Sequence, residues 1–234
     1  MQRLRSKLFD VYMVAWTGLF APAVAALLLF GRPERPTRAF SRLWARGALK
    51  GLGFIVGLRH VERFRQHIPK EPCLIVANHQ SQWETIAFLI LVPNVAIVAK
   101  QELLAIPIVG WFLRHSPMIM IERERGGNAI RIMLEESRAA LAAGRSVLVF
   151  PEGTRKSASA PVEFQRGIEL LYAKLNATVL PVAVDSGRFW GADHPYKRRG
   201  TITVSYLDPI GPGLSGREFT RRAEGALQAA ISAP

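Results

Sequence analysis

Apolar and polar positions alternate in blocks along this chain. Short β-rich apolar runs recur at Cys73–Ala77, Val95–Ala99, Met118–Ile121, Ser146–Phe150, Thr178–Val184 and Thr201–Tyr206. Brief runs of this kind, bounded by polar or turn residues, predict strands. Between several of them the apolar positions fall at helical spacing. Gly127–Ala143 carries Ile130, Met133, Leu134 and Leu141, with Gly144 as a stop. Glu163–Leu175 reads the same way, Ile86–Val92 reads as a buried helix and Thr220–Ile231 as a terminal one. Strands alternating with helices predict an α/β fold with a largely parallel central sheet flanked by helices. The 234 residues suffice for one such core and an accessory segment.

The N-terminal third has a different pattern. Val11–Phe30 is apolar except for Thr17, and at 1.5 Å per residue it reaches about 30 Å, the thickness of a hydrocarbon core. The chain continues from it into Gly31-Arg32-Pro33-Glu34-Arg35-Pro36 with no small-x-small cleavage site, unlike a cleaved signal peptide. Phe40–Leu58 mixes Arg42, Arg46 and Lys50 with Leu43, Trp44, Leu49, Leu52, Phe54 and Ile55, in the manner of a basic interfacial helix. Two membrane arrangements follow. Val11–Phe30 spans the bilayer, or a helical hairpin broken near Pro22 or Gly31-Arg32-Pro33 enters one leaflet. Basic residues on both sides of the apolar run favour the hairpin. A buried core helix is the competing reading. The division expected is a membrane-anchoring segment, 1–60, and a catalytic α/β domain, 61–234.

Charge reinforces this division. The formal net charge is +13, and residues 1–70 hold thirteen Lys and Arg against three acids. Such a segment meets an anionic surface, and its apolar composition favours membrane lipid over nucleic acid. The single cysteine, Cys73, excludes an internal disulfide. Lys197-Arg198-Arg199, flanked by Gly and Pro, reads as a solvated basic loop.

Two polar islands interrupt the apolar runs of the larger region. Asn78-His79-Gln80-Ser81-Gln82-Trp83-Glu84-Thr85 follows the strand at Cys73–Ala77. A histidine at a strand end can take a proton from a substrate hydroxyl, and Glu84 can hold its other ring nitrogen. Ser81-Gln82-Trp83-Glu84 also matches a capping box, so Glu84 has a purely local role open to it. The second island, Phe150-Pro151-Glu152-Gly153-Thr154-Arg155, follows the strand at Ser146–Phe150. Gly153 permits a tight turn and Arg155 a forked contact with phosphate. Lys100 and Arg123 each follow a predicted strand and can bring positive charge to the same edge. Other chemistries lack their residues. There is no Gly-x-Ser-x-Gly elbow, no phosphate-cradling Walker loop and no dinucleotide glycine fingerprint. His60, His67, His115 and His194 lack metal-ligand spacing, so no metal is expected.

The two islands at this separation resemble the glycerolipid acyltransferase family, in particular its bacterial lysophosphatidic acid acyltransferases. Lys100-Gln101-Glu102-Leu103, Ile121-Glu122-Arg123 and Leu180-Pro181-Val182 resemble the family's further blocks, and the likeness runs over about residues 70–210. The resemblance implies transfer of a fatty acyl group from acyl-CoA or acyl-carrier protein to the sn-2 hydroxyl of 1-acyl-glycerol-3-phosphate, giving phosphatidic acid. His79 would be the base and Glu84 its partner. Glu152, Gly153, Thr154 and Arg155, with Arg123 and Lys100, would bind the acceptor. No cofactor is implied beyond the thioester co-substrate. The implied location is the bacterial inner membrane, catalytic domain towards the cytoplasm. One departure stands out: the family usually has Asp where this chain has Glu84. Another lysolipid acceptor, such as a lyso-ornithine lipid, or a non-catalytic lipid-binding role are the alternatives.

Overall fold

The computed structural model describes the chain except residues 32–33, 93, 123–126, 195 and 233–234. Its N-terminal element is a helical hairpin. Helix α1 (Gln2–Gly18) leads into α2 (Ala21–Leu29), whose first turn holds Pro22, where a missing N–H costs no hydrogen bond. Together, Gln2–Leu29 are long and apolar enough to cross a membrane. The chain turns at Gly31 and returns as α3 (Glu34–Ile55). Tyr12 Oη donates to the Gly47 carbonyl, Trp16 Nε1 to the Trp44 carbonyl, and Phe20 packs edge-on to Phe40. Partner numbers that fall on one helix as they rise on the other define an antiparallel pair. Gly47 and Gly51 permit its closeness: a Cβ at either would lie 2.1 Å from the Trp16 or Tyr12 ring. The backbone thus breaks between α1 and α2, just before Pro22, and turns after α2, near the two places where the hairpin arrangement allows its break.

The remaining strands are β1 (Leu58–Arg63), β2 (Leu74–Ala77), β3 (Val95–Lys100), β4 (Ile119–Ile121), β5 (Ser146–Val149), β6 (Val179–Val184) and β7 (Gly200–Tyr206). They form one sheet in the order β1-β7-β6-β2-β5-β3-β4. All neighbours are parallel except β6 and β7. The largely parallel sheet is as expected. Strand β1 was not foreseen; it is an edge strand with Arg59, His60, Glu62 and Arg63 among its six residues. Charged edges of this kind discourage pairing with other chains.

Helices cover both faces. They are α4 (Trp83–Leu91), α5 (Val109–Arg114), α6 (Gly127–Ala142), α7 (Gly167–Leu175), the short α8 (Gly187–Trp190) and α9 (Gly216–Ser232). Alternate residues of β2 separate two cores, as the pleat dictates. Ile75 and Ala77 pack with Phe9 of α1, Leu52 of α3 and Phe88 of α4. Leu74 and Val76 pack with Met133 of α6, Leu171 of α7 and Phe219 of α9. Hairpin and sheet therefore share one hydrophobic core.

Lys197 strengthens that union and departs from the solvated loop expected. Arg198 and Arg199 are exposed, but Lys197 is only 6 % exposed. Its Nζ donates to Asp10 Oδ1 at 2.6 Å and lies over the Trp190 and Phe9 rings. Its backbone N–H donates to Ser6 Oγ. A lysine stem among aromatic rings with its charge on a carboxylate is a stable way to bury the residue.

Because β2, β3, β4, β5 and β6 are parallel, their C-terminal ends share one edge. In open α/β sheets this edge is where ligands bind. Both polar islands begin there.

Candidate active site

The edge is built outward from β2 and β6. Asn78, the first residue after β2, is fully buried. Its Nδ2 donates to the Val184 carbonyl and its Oδ1 accepts from Val184 N–H, at 2.7 and 2.8 Å. This pair of hydrogen bonds locks the ends of the two strands together and sets where His79 leaves the sheet. Gln80 adds a second tie, its Oε1 accepting from Gly187 N–H.

His79 is fixed by the other island. Its backbone N–H donates to Glu152 Oε2 at 2.9 Å, and its carbonyl accepts from Lys156 N–H at 2.7 Å. Its ring stacks on Phe150 with centroids 4.3 Å apart. The sequences after β2 and β5 thus form one structure around a single histidine. The imidazole side chain is 15 % exposed and Glu84 is fully buried. His79 Nδ1 faces Glu84 Oε2 at 3.6 Å and has no hydrogen-bond partner. That separation exceeds a hydrogen bond by several tenths of an ångström. A modest shift of either side chain would close it to a hydrogen bond.

Glu84 does have its capping role. The Glu84 carboxylate accepts from Ser81 N–H, the glutamate half of a capping box, while Ser81 Oγ accepts from Trp83 N–H, two residues on where the full box would use the third. The carboxylate also accepts from Gln80 N–H and from the hydroxyl of Ser186. So Glu84 ties down the turn that starts α4 and points at His79 in the same conformation.

Glu152 does not face outward. It is buried, and burial pushes its carboxyl pKa up to about 7; the His79 amide and Lys156 oppose this, and the nearby Glu84 charge adds to it. Gly153 adopts φ +77°, a left-handed conformation that a side chain would strain, and it closes a turn with its N–H on the Phe150 carbonyl. Thr154 and Arg155 follow on the surface. Lys100 is also exposed at the end of β3, two strands from β2, which at sheet spacing is about 10 Å. Arg123 lies outside the described residues. His79, Glu84, Glu152 and Gly153 therefore come together, and Thr154, Arg155 and Lys100 line the exposed side of the same edge.

Asn78, Gln80 and Ser186 belong to this cluster and were not singled out from the sequence. Ser186 had a readable signal: Asp185-Ser186-Gly187 is a polar break at the end of the β6 run, like the two islands. Among the described residues no group of three or more His, Cys, Asp or Glu is placed to hold a metal ion.

The chain is similar to known proteins along most of its length. The acyltransferase family model matches residues 58–185, from β1 to the residue before Ser186. The chain is 32% identical over 235 residues to 1-acyl-sn-glycerol-3-phosphate acyltransferase of Pseudomonas aeruginosa, covering 95% of this chain and 88% of that one. It is 28% identical over 181 residues to the lyso-ornithine lipid O-acyltransferase of the same organism, 70% of this chain and 69% of that one. Against human 1-acyl-sn-glycerol-3-phosphate acyltransferase alpha it is 31% identical over 160 residues, and it spans only 56% of that protein. The crystal structure of the 1-acyl-sn-glycerophosphate acyltransferase PlsC from Thermotoga maritima has the same fold, with a TM-score of 0.80 over 99% of this chain and 96% of that one at 22% identity. With the family model matched over more than half its length, the chain belongs to the acyltransferase family.

Proposed function

We propose that this acyltransferase moves a fatty acyl group from a thioester, acyl-CoA or acyl-carrier protein, to the sn-2 hydroxyl of 1-acyl-glycerol-3-phosphate. The products are phosphatidic acid and the free thiol. His79 Nδ1 faces Glu84, which leaves Nε2 to take the hydroxyl proton as the oxygen attacks the thioester carbon. The imidazolium then gives that proton to the departing thiolate. Glu84 keeps the ring in the right tautomer and stabilises the positive charge it acquires. Arg155 and Lys100 hold the acceptor's phosphate. Fixing that phosphate fixes the hydroxyl near the base.

The observation that carries this reading is the convergence of both islands on His79. One supplies the ring and its acid partner; the other grips the histidine backbone and leads directly to an exposed arginine. The 32% identity along 95% of the chain supports the same acceptor. The hairpin supports a place at the lipid surface. Leu4, Leu8, Val11 and Val14 of α1 and Leu43 and Phe54 of α3 are exposed apolar residues, and Arg42, Arg46 and Lys50 recur at four-residue intervals along α3. Apolar and basic residues so placed suit an anionic bilayer. The location proposed is the bacterial inner membrane, with the catalytic edge towards the cytoplasm.

The test uses full-length protein in phospholipid vesicles. Thiol release from acyl-CoA should depend on added 1-acyl-glycerol-3-phosphate and disappear in His79→Ala. A lyso-ornithine lipid should serve poorly as acceptor. Release that ignores the phosphate acceptor but follows the ornithine lipid would reassign the substrate, and wild-type rates in His79→Ala would reject the mechanism.

A further inference from the structure

Four hydrogen bonds define the position of the Glu84 carboxylate. Oε1 accepts from Gln80 N–H at 3.2 Å, from Ser81 N–H at 3.1 Å and from the Ser186 hydroxyl; Oε2 accepts from Ser81 N–H at 2.9 Å. The backbone donors come with the turn that starts α4. They are present whenever that turn folds. Ser186 is different. It is 102 residues away, after β6, and it is the side-chain donor of the set. It is fully buried, and its hydroxyl bonds to Glu84.

The terminal torsion of a glutamate is broad and roughly two-fold, so the backbone of Glu84 does not by itself set the plane of the carboxylate. Oε2 must face His79 Nδ1 for the pair to work. A donor on Oε1 from the side of β6 pins that oxygen and leaves Oε2 towards the ring. The Asn78–Val184 clamp holds the ends of β2 and β6 in register, so Ser186 reaches Glu84 from a fixed base.

We propose that Ser186 is a positioning residue for the acyl transfer. It fixes the rotation of the Glu84 carboxylate and through it the orientation of His79. This rests on the acyltransferase mechanism above. Ser186 touches no substrate, and its loss acts on the chemical step.

The experiment is a kinetic double-mutant cycle on full-length protein in vesicles, with acyl-CoA and 1-acyl-glycerol-3-phosphate. Ser186→Ala should lower kcat about 10- to 100-fold, the scale of a misplaced reacting group, with KM for the acceptor nearly unchanged. Ser186→Thr, which keeps the hydroxyl, should recover most of the rate. Glu84→Asp shortens the side chain by one methylene and withdraws the carboxylate from Ser186. In that background Ser186→Ala should cost little more, so the two effects are strongly non-additive. Ser186→Cys, close in shape but a weak donor, supplies the same comparison should Ser186→Ala melt abnormally. Independent, additive effects, a change in KM alone, or wild-type kcat in Ser186→Ala would overturn the proposal. If His79→Ala is inactive in the same assay, that failure belongs to Ser186 and leaves the acyltransferase reading intact.

Discussion

The two sides of the catalytic edge are built in opposite ways. On the inner side, Asn78, Gln80, Glu84, Glu152 and Ser186 are buried polar residues joined by hydrogen bonds between β2, β5 and β6. On the outer side, Thr154, Arg155 and Lys100 are exposed at the ends of β5 and β3. The inner side must hold a ring and a carboxylate to a fraction of an ångström, and buried networks are the rigid means of doing so. The outer side, in the mechanism proposed, meets a charged headgroup and releases it. Long solvated cations suit that task, since little desolvation is needed before binding. In the proposed mechanism, proton transfer and anion recognition share one edge with different stiffness, and substitutions on the two sides should fail differently.

The largest effect belongs to the inner side. His79→Ala should reduce kcat by about 10³-fold with little change in acceptor KM, as expected for loss of a general base. Steady-state rates against both substrates measure this, and a loss confined to KM would erase the distinction between the two sides. Arg155→Ala should show the converse. Loss of one charged contact with phosphate costs about 10- to 100-fold in kcat/KM, and it should fall mainly on acceptor KM. Lys100→Ala should follow the same pattern at a few-fold, because Lys100 ends a strand two removed from β2. Equal penalties at Arg155 and Lys100 would place the phosphate between β5 and β3 instead of beside His79.

How the sequence announces these parts depends on how local their signals are. The strands at Val95, Ser146 and Val179 were legible because a buried parallel strand needs an apolar run and nothing else. Gly144 marked the end of α6, where it takes φ +73°. His79 and Glu84 were legible as a candidate pair because they lie five positions apart across one turn. Strand β1 was not, since an edge strand with Arg59, Glu62 and Arg63 resembles a polar linker. Lys197 was misread for a related reason. Its covering carboxylate, Asp10, lies 187 residues away, and three adjacent cations carry no local sign that one is buried. Ser186 fell between the two cases: its polar break was visible, but its partner across the sheet was not.

Glu152 tests the comparison most finely, because it belongs to the outer island in sequence and to the inner network in space. Glu152→Gln keeps a carbonyl oxygen that can accept from His79 N–H, so kcat should fall less than about tenfold. Its signature is in stability against pH. Burial raises the carboxyl pKa from the ordinary 4.5 to about 7, so the native state binds this proton more tightly than the unfolded chain does. The stabilisation linked to it is fully present below the unfolded value and is lost as pH rises through about 7. Glutamine does not titrate. Between those two pH values, therefore, wild type should lose stability relative to Glu152→Gln. Parallel thermal melts of the two proteins across that window measure the difference directly. A constant difference would mean that Glu152 titrates as a solvated carboxylate and belongs with Arg155 on the outer side.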